Sequence, residues 1–263
     1  MTDAGRPIDR RDDTVGDAQR AAAEAPDDAA DDAAVVGPVL RQAGVWLCLR
    51  VVLTAILRRA GPAAFRAAGA ERQRRTVLYV LSTAAASIAT TFAIVTDGRP
   101  TRAKRHLLDS FIGYLLHDAA AVLPQWRQYP ADLAHHVAVM ALCGYVRTRF
   151  HALFDIAAPM MRLECSTVFL NLFWFTREFP ELRARFPRAV AALPTAFLHA
   201  FFWIRVAWLP YYAWWMDRHH RRRFRGFGPV AHAGLAGLIL VQFYWFAMIL
   251  AKLRKAAPTA VAA

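Results

Sequence analysis

The stretch LAGLILVQFYWFAMIL, residues 235–250, contains no charged residue and has no polar face at the helical period. A helix that is apolar on every side is either buried in a large core or spans a membrane. A spanning helix needs about 20 mostly apolar residues, and the apolar stretch here extends over residues 229–250. It therefore predicts a transmembrane helix.

Similar apolar stretches recur along the whole chain. Of its 263 residues 57% are hydrophobic, and the mean hydropathy is +0.23. Soluble domains average about 45–50% apolar residues, and a soluble bundle would need polar helix faces that these stretches lack. We expect an all-α, polytopic membrane bundle of six or seven transmembrane helices, of which the fourth is short. The candidate spans are residues 37–57, 76–95, 106–123, 132–146, 150–174, 189–215 and 229–250.

The first 35 residues have a different composition. They hold nine Asp, one Glu and four Arg, a net charge of −6, and very few large apolar side chains. Such a segment cannot bury enough apolar surface to offset its ordering entropy. We predict a disordered acidic tail over 1–35, a first membrane helix and basic loop over 36–70, a membrane domain over 71–252 and a short C-terminal tail over 253–263.

Positive charge is concentrated in short segments between the spans. The formal net charge is +13 and the isoelectric point is about 10.6. Juxtamembrane Arg and Lys attract anionic headgroups at about 1 kcal/mol per residue. We therefore expect anionic lipid headgroups at the basic loops and no nucleic-acid partner. The basic residues divide almost evenly between the two sides, so charge does not decide the orientation.

Several ionisable residues interrupt the predicted spans. Each costs about 2.5–3.5 kcal/mol at the centre of a membrane helix, so these residues must face a shared interior. In the third span Tyr114, His117 and Asp118 share one broad helix face, and the fourth span carries the adjacent pair His135 and His136. The interior that these side chains face is the candidate functional site.

The third and fourth predicted spans are joined by a short connection, residues 124–131. Such a connection predicts antiparallel neighbours, which brings His117 or Asp118 to the histidine pair. A carboxylate bonded to an imidazole fixes its tautomer and raises its basicity, as a general base requires. The alternative is that the histidines are structural hydrogen-bond partners, although such bonds average only about 0.6 kcal/mol in membranes.

Further polar residues lie in the fifth and sixth predicted spans. Glu164 and Asn171 share one helix face, and Arg162 is near enough in sequence to neutralise Glu164 or a lipid phosphate. Arg205 either reaches an interface, pairs with an acid or holds an anionic headgroup. No HxxxH or HxxHH spacing occurs, so we predict no metal site.

Four segments, in this order, resemble the TLC domain family, named for translocating-chain-associated, longevity-assurance and ceroid-lipofuscinosis proteins. They are SFIGYLLHD (110–118), DLAHH (132–136), RLECSTVFLNLFW (162–174) and RVAWLPYY (205–212). The third is similar to the small TLC domain-containing proteins rather than to the ceramide synthases. The synthases carry a further histidine and two acids, where this chain has Ile156, Ala157 and Met160.

The resemblance implies a TLC-like membrane domain with a polar-lined lipid cavity that acts in lipid metabolism or membrane lipid homeostasis. One implied activity is acyl-CoA-dependent acyl transfer to a lipid amine or hydroxyl, with acyl-CoA as a substrate and no cofactor. His135 or His136 would then be the general base and Asp118 its orienting acid. The implied substrate-binding residues are Tyr114, His117, Arg162, Glu164, Asn171 and Arg205.

The alternative is a non-catalytic protein that binds, traffics or senses membrane lipids with the same cavity. The expected location is an integral position in the endoplasmic reticulum or a related endomembrane in a eukaryote, or in the inner membrane of a bacterium.

Overall fold

The structure, a computed structural model, describes residues 35–95, 101–128, 130–221 and 228–256. Every regular element in these ranges is helical, as predicted. The predicted acidic tail lies outside the described residues except for Val35, and so do residues 257–263 of the predicted C-terminal tail. The α-helices are α1 (Val36–Ala60), α2 (Ala63–Arg66), α3 (Ala70–Val95), α4 (Arg102–Val122), α5 (Pro130–Thr148), α6 (Phe150–Ala157), α7 (Cys165–Glu178), α8 (Pro180–Arg185), α9 (Pro187–Phe201), α10 (Leu209–His219) and α11 (Gly228–Ala256).

Five helical segments among the described residues are long and apolar enough to cross a membrane. They are Val36–Ala60, Ala70–Val95, Arg102–Gln125, Pro187–His219 and Ala231–Arg254. Their outer faces expose large apolar side chains; Val51 is 61% exposed on α1, and Leu240 is 67% exposed on α11. An apolar surface spread over several helices fits contact with lipid rather than with water. The chain is therefore an integral membrane protein, as its composition predicted.

Two of the seven predicted spans differ from the expectation. Helix α5 has 19 residues, but Asp132, His135 and His136 reduce its hydropathy, and it is not among the five. The predicted span 150–174 is not one α-helix, because α6 is followed by a 3-10 segment, Ala158–Glu164, before α7 begins. Pro159 explains the break, since it has no N–H to donate to the carbonyl four residues earlier and its ring crowds that turn.

Helices α1 and α4 pack closely at a glycine. A Cβ atom on Gly113 of α4 would come within 2.7 Å of the Ala43 backbone nitrogen and of the Gln42 side chain. The Trp46 indole nitrogen donates to the backbone oxygen of Ser110, at 2.9 Å, one turn away. The absence of a side chain at Gly113 therefore allows α1 to lie directly on α4.

The segment from Pro187 to His219 is continuous but not uniformly α-helical. A π-helical stretch, Phe202–Trp208, joins α9 to α10. Pro210 follows it and cannot donate a hydrogen bond back to the carbonyl of Val206, so a wider turn before it is a physically reasonable adjustment. The π stretch carries Arg205, which is only 5% exposed.

Candidate functional site

A cavity of about 440 Å³ lies between α3, α4, α5, α7, α9 and α11. We call it the main cavity. Polar side chains lie along its inner surface, whereas the spans around it are apolar on their outer faces. The predicted site residues that line it are Tyr114, Asp118, His135, His136, Glu164, Asn171 and Arg205. Five separate segments supply these side chains, so the helices bring together residues that the sequence holds far apart.

His136 is held at both ring nitrogens. Its Nε2 lies 3.0 Å from Oδ2 of Asp118, and its Nδ1 lies 2.8 Å from the backbone oxygen of Asp132. Both partners are hydrogen-bond acceptors. Both ring nitrogens of His136 therefore face protein groups, and neither is left directed at a ligand.

The ring of His135 packs against helix α11. It meets the Trp245 ring edge-on, with the ring centroids 4.9 Å apart. Its Nδ1 is buried and has no hydrogen-bond partner among the described residues. Of the two adjacent histidines, His135 is thus the one whose ring has hydrogen-bonding capacity left for a ligand.

Arg205 is fixed by a set of buried polar groups. Its Nε donates to Oγ of Ser166 at 2.6 Å, one terminal nitrogen donates to Oε1 of Gln242 at 3.2 Å, and the other donates to Oγ1 of Thr167 at 2.9 Å. The second terminal nitrogen also lies 3.9 Å from Oε1 of Glu164. These contacts hold a guanidinium group rigidly at the cavity surface, close to one carboxylate.

Asn171 is tied to α3, where its amide nitrogen donates to Oγ of Ser82 at 3.0 Å. Both residues line the main cavity, as does Tyr79, which stacks on Trp174 with centroids 4.1 Å apart. Tyr114 lies on the α4 side of the cavity and meets the Trp46 ring edge-on at 5.3 Å. The first two contacts tie α3 to α7 beside the cavity, and the third ties α4 to α1.

Two predicted substrate-binding residues do not line the main cavity. His117 is 7% exposed, and neither of its ring nitrogens has a hydrogen-bond partner in the described parts of the chain. Arg162 donates from Nε to the backbone oxygen of Ala93 at 3.3 Å, and its guanidinium lies 5.9 Å from the centre of the Trp208 ring. Arg205, rather than the expected Arg162, is therefore the arginine whose guanidinium lies near the Glu164 carboxylate.

Sequence reasoning missed two polar partners that the structure brings to Arg205. Gln242 is fully buried, and Ser166 is 1% exposed. Gln242 is the single amide in the apolar stretch 235–250, so its isolation there was a usable signal. Ser166 gave no comparable signal, because serine is common in membrane helices where it bonds its own backbone, as it also does here to Leu163.

Basic side chains surround one end of the main cavity. Arg74, Arg75 and Lys252 line it there together with Gln125. Glu71 accepts from Nε of Arg74 and from Nε of Arg75, each at 2.8 Å. These residues lie near the start of α3, the end of α4 and the end of α11, so this basic rim belongs to one membrane surface.

A second, smaller cavity of about 90 Å³ lies between α5, the 3-10 segment Ala158–Glu164 and α11. Most of the side chains that line it are apolar. His135, Glu164 and Arg205 line both cavities. We call these three residues the polar border, because they are common to the main cavity and the more apolar second cavity.

The arrangement does not provide a recognisable metal centre. No group of three or more His, Cys, Asp or Glu side chains is placed to hold a metal ion within the described residues. The polar groups that line the main cavity include the His135 ring, the Arg205 guanidinium and the Asp118 and Glu164 carboxylates.

The sequence model of the family described as TLC domain matches residues 70–251, which include α3, α4, α5, α7, α9 and most of α11 and leave α1 outside. No curated protein matches the chain significantly.

Proposed function

The chain belongs to the TLC domain family, and from this premise we propose that it binds a membrane lipid in the main cavity and acts in membrane lipid homeostasis. The single observation that carries the proposal is the main cavity itself. A volume of about 440 Å³ lined by Asp118, Asn171 and Arg205, inside helices with apolar outer faces, suits an amphiphile that enters from the bilayer.

The basic rim supports a preference for anionic headgroups. Lys252 is exposed and lines the cavity opening beside Arg74 and Arg75. A cationic group at the membrane surface attracts an anionic headgroup at about 1 kcal/mol. A phosphate held there would leave the rest of the lipid extending inward past the His136–Asp118 pair.

We assign the chain to the small TLC domain-containing proteins rather than to the ceramide synthases. Ile156, Ala157 and Met160 stand where the synthases carry a histidine and two acids. Ala157 and Met160 line the smaller, apolar cavity. Apolar side chains at these positions favour the holding of a hydrocarbon chain over proton-transfer chemistry.

A second candidate is acyl transfer, which the unpartnered ring nitrogen of His135 favours. The His135 ring would accept the proton of a lipid hydroxyl or amine while its oxygen or nitrogen attacks the carbonyl of an acyl-CoA thioester. The CoA thiolate would leave and take up that proton. Arg205 borders the same space and would stabilise the negative charge on the carbonyl oxygen. His136 suits this role less well, because both of its nitrogens face acceptors.

Lipid analysis of the purified protein tests the proposal and separates the two candidates. The protein is purified in a mild detergent as wild type, as His135→Ala and as His136→Ala, and the retained lipids are identified by mass spectrometry. His199→Ala is the matched control, since His199 is an exposed histidine on α9.

We expect the wild type and the control to retain one lipid class that His135→Ala retains less. An unchanged chemical form of the lipid favours binding, whereas accumulation of an unacylated precursor in His135→Ala supports acyl transfer. Retention of only bulk lipid by the wild type would refute the proposed function.

A further inference from the structure

The smaller cavity has no role in the proposed binding of a headgroup. We propose, on the basis of the proposed lipid-binding function, that it receives the end of a hydrocarbon chain of the bound lipid and thereby limits the length of that chain. The smaller cavity is called the tail chamber below.

The chemistry of the tail chamber fits hydrocarbon. Its volume of about 90 Å³ is bounded by side chains such as Leu142, Met160, Met216 and Leu235. Because about 10–15 Å³ of such space admits one water-sized group, the chamber has room for several methylene groups. A water molecule needs two to four polar partners, which an apolar lining does not supply. An apolar chain instead restores the dispersion contacts that the lining atoms lack.

Only a few of the side chains that line the tail chamber are polar. His135, Glu164 and Arg205 form the polar border with the main cavity. His232, which also lines the chamber, bonds through Nδ1 to the backbone oxygen of Gly228 at 2.7 Å. The part of the chamber beyond the polar border is therefore suited to the apolar end of a ligand.

The polar border itself has unmet hydrogen-bonding capacity. Nδ1 of His135 is buried and has no hydrogen-bond partner within the described ranges. A lipid with its ester, amide or hydroxyl group at this level would satisfy that atom. Its headgroup would then lie in the main cavity, and its chain would continue into the tail chamber.

The occupant is therefore an amphiphile whose polar linkage sits at the polar border. A chain of the right length fills the tail chamber, whereas a longer chain meets the packed side chains that line it. Phe154 and Met216 are two of these side chains and are each 1% exposed, so the core there has little freedom to yield.

Filling the chamber tests the inference. Ala231 lines the tail chamber and is 6% exposed, whereas Ala236 lies on the same helix and is exposed. Ala231→Leu and Ala236→Leu make the same substitution on opposite sides of α11. Met160→Ala is a second variant that enlarges the chamber. For each purified variant, mass spectrometry gives the chain lengths of the retained lipid, and a thermal melt reports folding.

We expect Ala231→Leu to shorten the retained chains by about two carbons, because the added side-chain atoms occupy comparable space. Met160→Ala should shift the distribution toward longer chains, and Ala236→Leu should leave it unchanged. A folded Ala231→Leu or Met160→Ala variant that retains the same lipid with unchanged chain lengths would overturn the chain-length inference but leave lipid binding standing. Wild-type protein without a specific lipid would overturn both.

Discussion

Replacement of Arg205 by methionine is expected to lower the free energy of unfolding by about 3–5 kcal/mol, the range for removing one partner of a buried charge pair. The guanidinium makes hydrogen bonds to Ser166, Thr167 and Gln242, and lies 3.9 Å from Glu164. Three interhelical hydrogen bonds at about 0.6 kcal/mol each account for roughly 2 kcal/mol. The remainder comes from leaving the Glu164 carboxylate without its nearby cation.

This division of the energy can be tested by removing the second charge. In the double variant Arg205→Met/Glu164→Gln the uncompensated carboxylate is gone, so about 1–3 kcal/mol of the loss should be recovered. The measurement is equilibrium unfolding in mixed detergent micelles, followed by tryptophan fluorescence. Arg183→Met is the matched control, because Arg183 is exposed, and a surface substitution should change stability by at most about 0.5 kcal/mol.

Two results would contradict the reasoning. A loss below about 1 kcal/mol for Arg205→Met would mean that the buried hydrogen bonds contribute less than the membrane average. An equal loss in the single and double variants would mean that Glu164 does not depend on Arg205 for its charge balance.

Three further predictions concern other parts of the molecule. Gly113→Ala should push α1 away from α4 and lower the free energy of unfolding by about 1–3 kcal/mol in the same assay. Gly144→Ala, with open space around its Cβ position, should not destabilise the protein, and equal effects of the two variants would refute the close-contact argument. Ser166→Ala should lower the free energy of unfolding by about 0.6–1.7 kcal/mol, because it removes the acceptor of the Arg205 Nε bond. The control Ser87→Ala should cause no measurable loss, and an unchanged stability of Ser166→Ala would show that the bond is dispensable. Lys252→Ala should reduce the amount of retained anionic lipid about fivefold, because about 1 kcal/mol of attraction is lost. Arg254→Ala, which lies outside the cavity lining, should have a smaller effect. Equal effects of the two variants would indicate general attraction to the membrane surface instead.

The membrane character of the chain was predictable because it depends on composition over long stretches. Residues 235–250 are apolar on every side, and α11 occupies that region as a single helix. The meeting of Asp118 with His136 was also within reach of the sequence, because a short connection brings the end of α4 beside the start of α5. The boundaries predicted for the terminal segments stay predictions, as do the roles of the site residues.

The partners of Glu164 were not predictable, because they depend on where the backbone departs from α-helical geometry. Arg162 lies in the 3-10 segment, where side chains advance by about 120° per residue rather than about 100°, so it points away from the expected face. Arg205 lies in the π stretch, whose wider turn likewise changes the direction of its side chain. Assigning side chains to a helix face from their spacing in the sequence assumes a regular α-helix, so it fails at these two places.

The position of the basic rim gives the main cavity a sidedness. Arg74 donates to the backbone oxygen of Ala121, so the start of α3 and the end of α4 lie together, and Lys252 lines the same opening. Under the proposed function, a lipid that enters past these side chains would be drawn from the leaflet that they face. The protein would therefore take lipid from one leaflet only. In a bilayer whose two leaflets differ in anionic lipid, the amount of anionic lipid available to the main cavity would depend on the orientation of the protein.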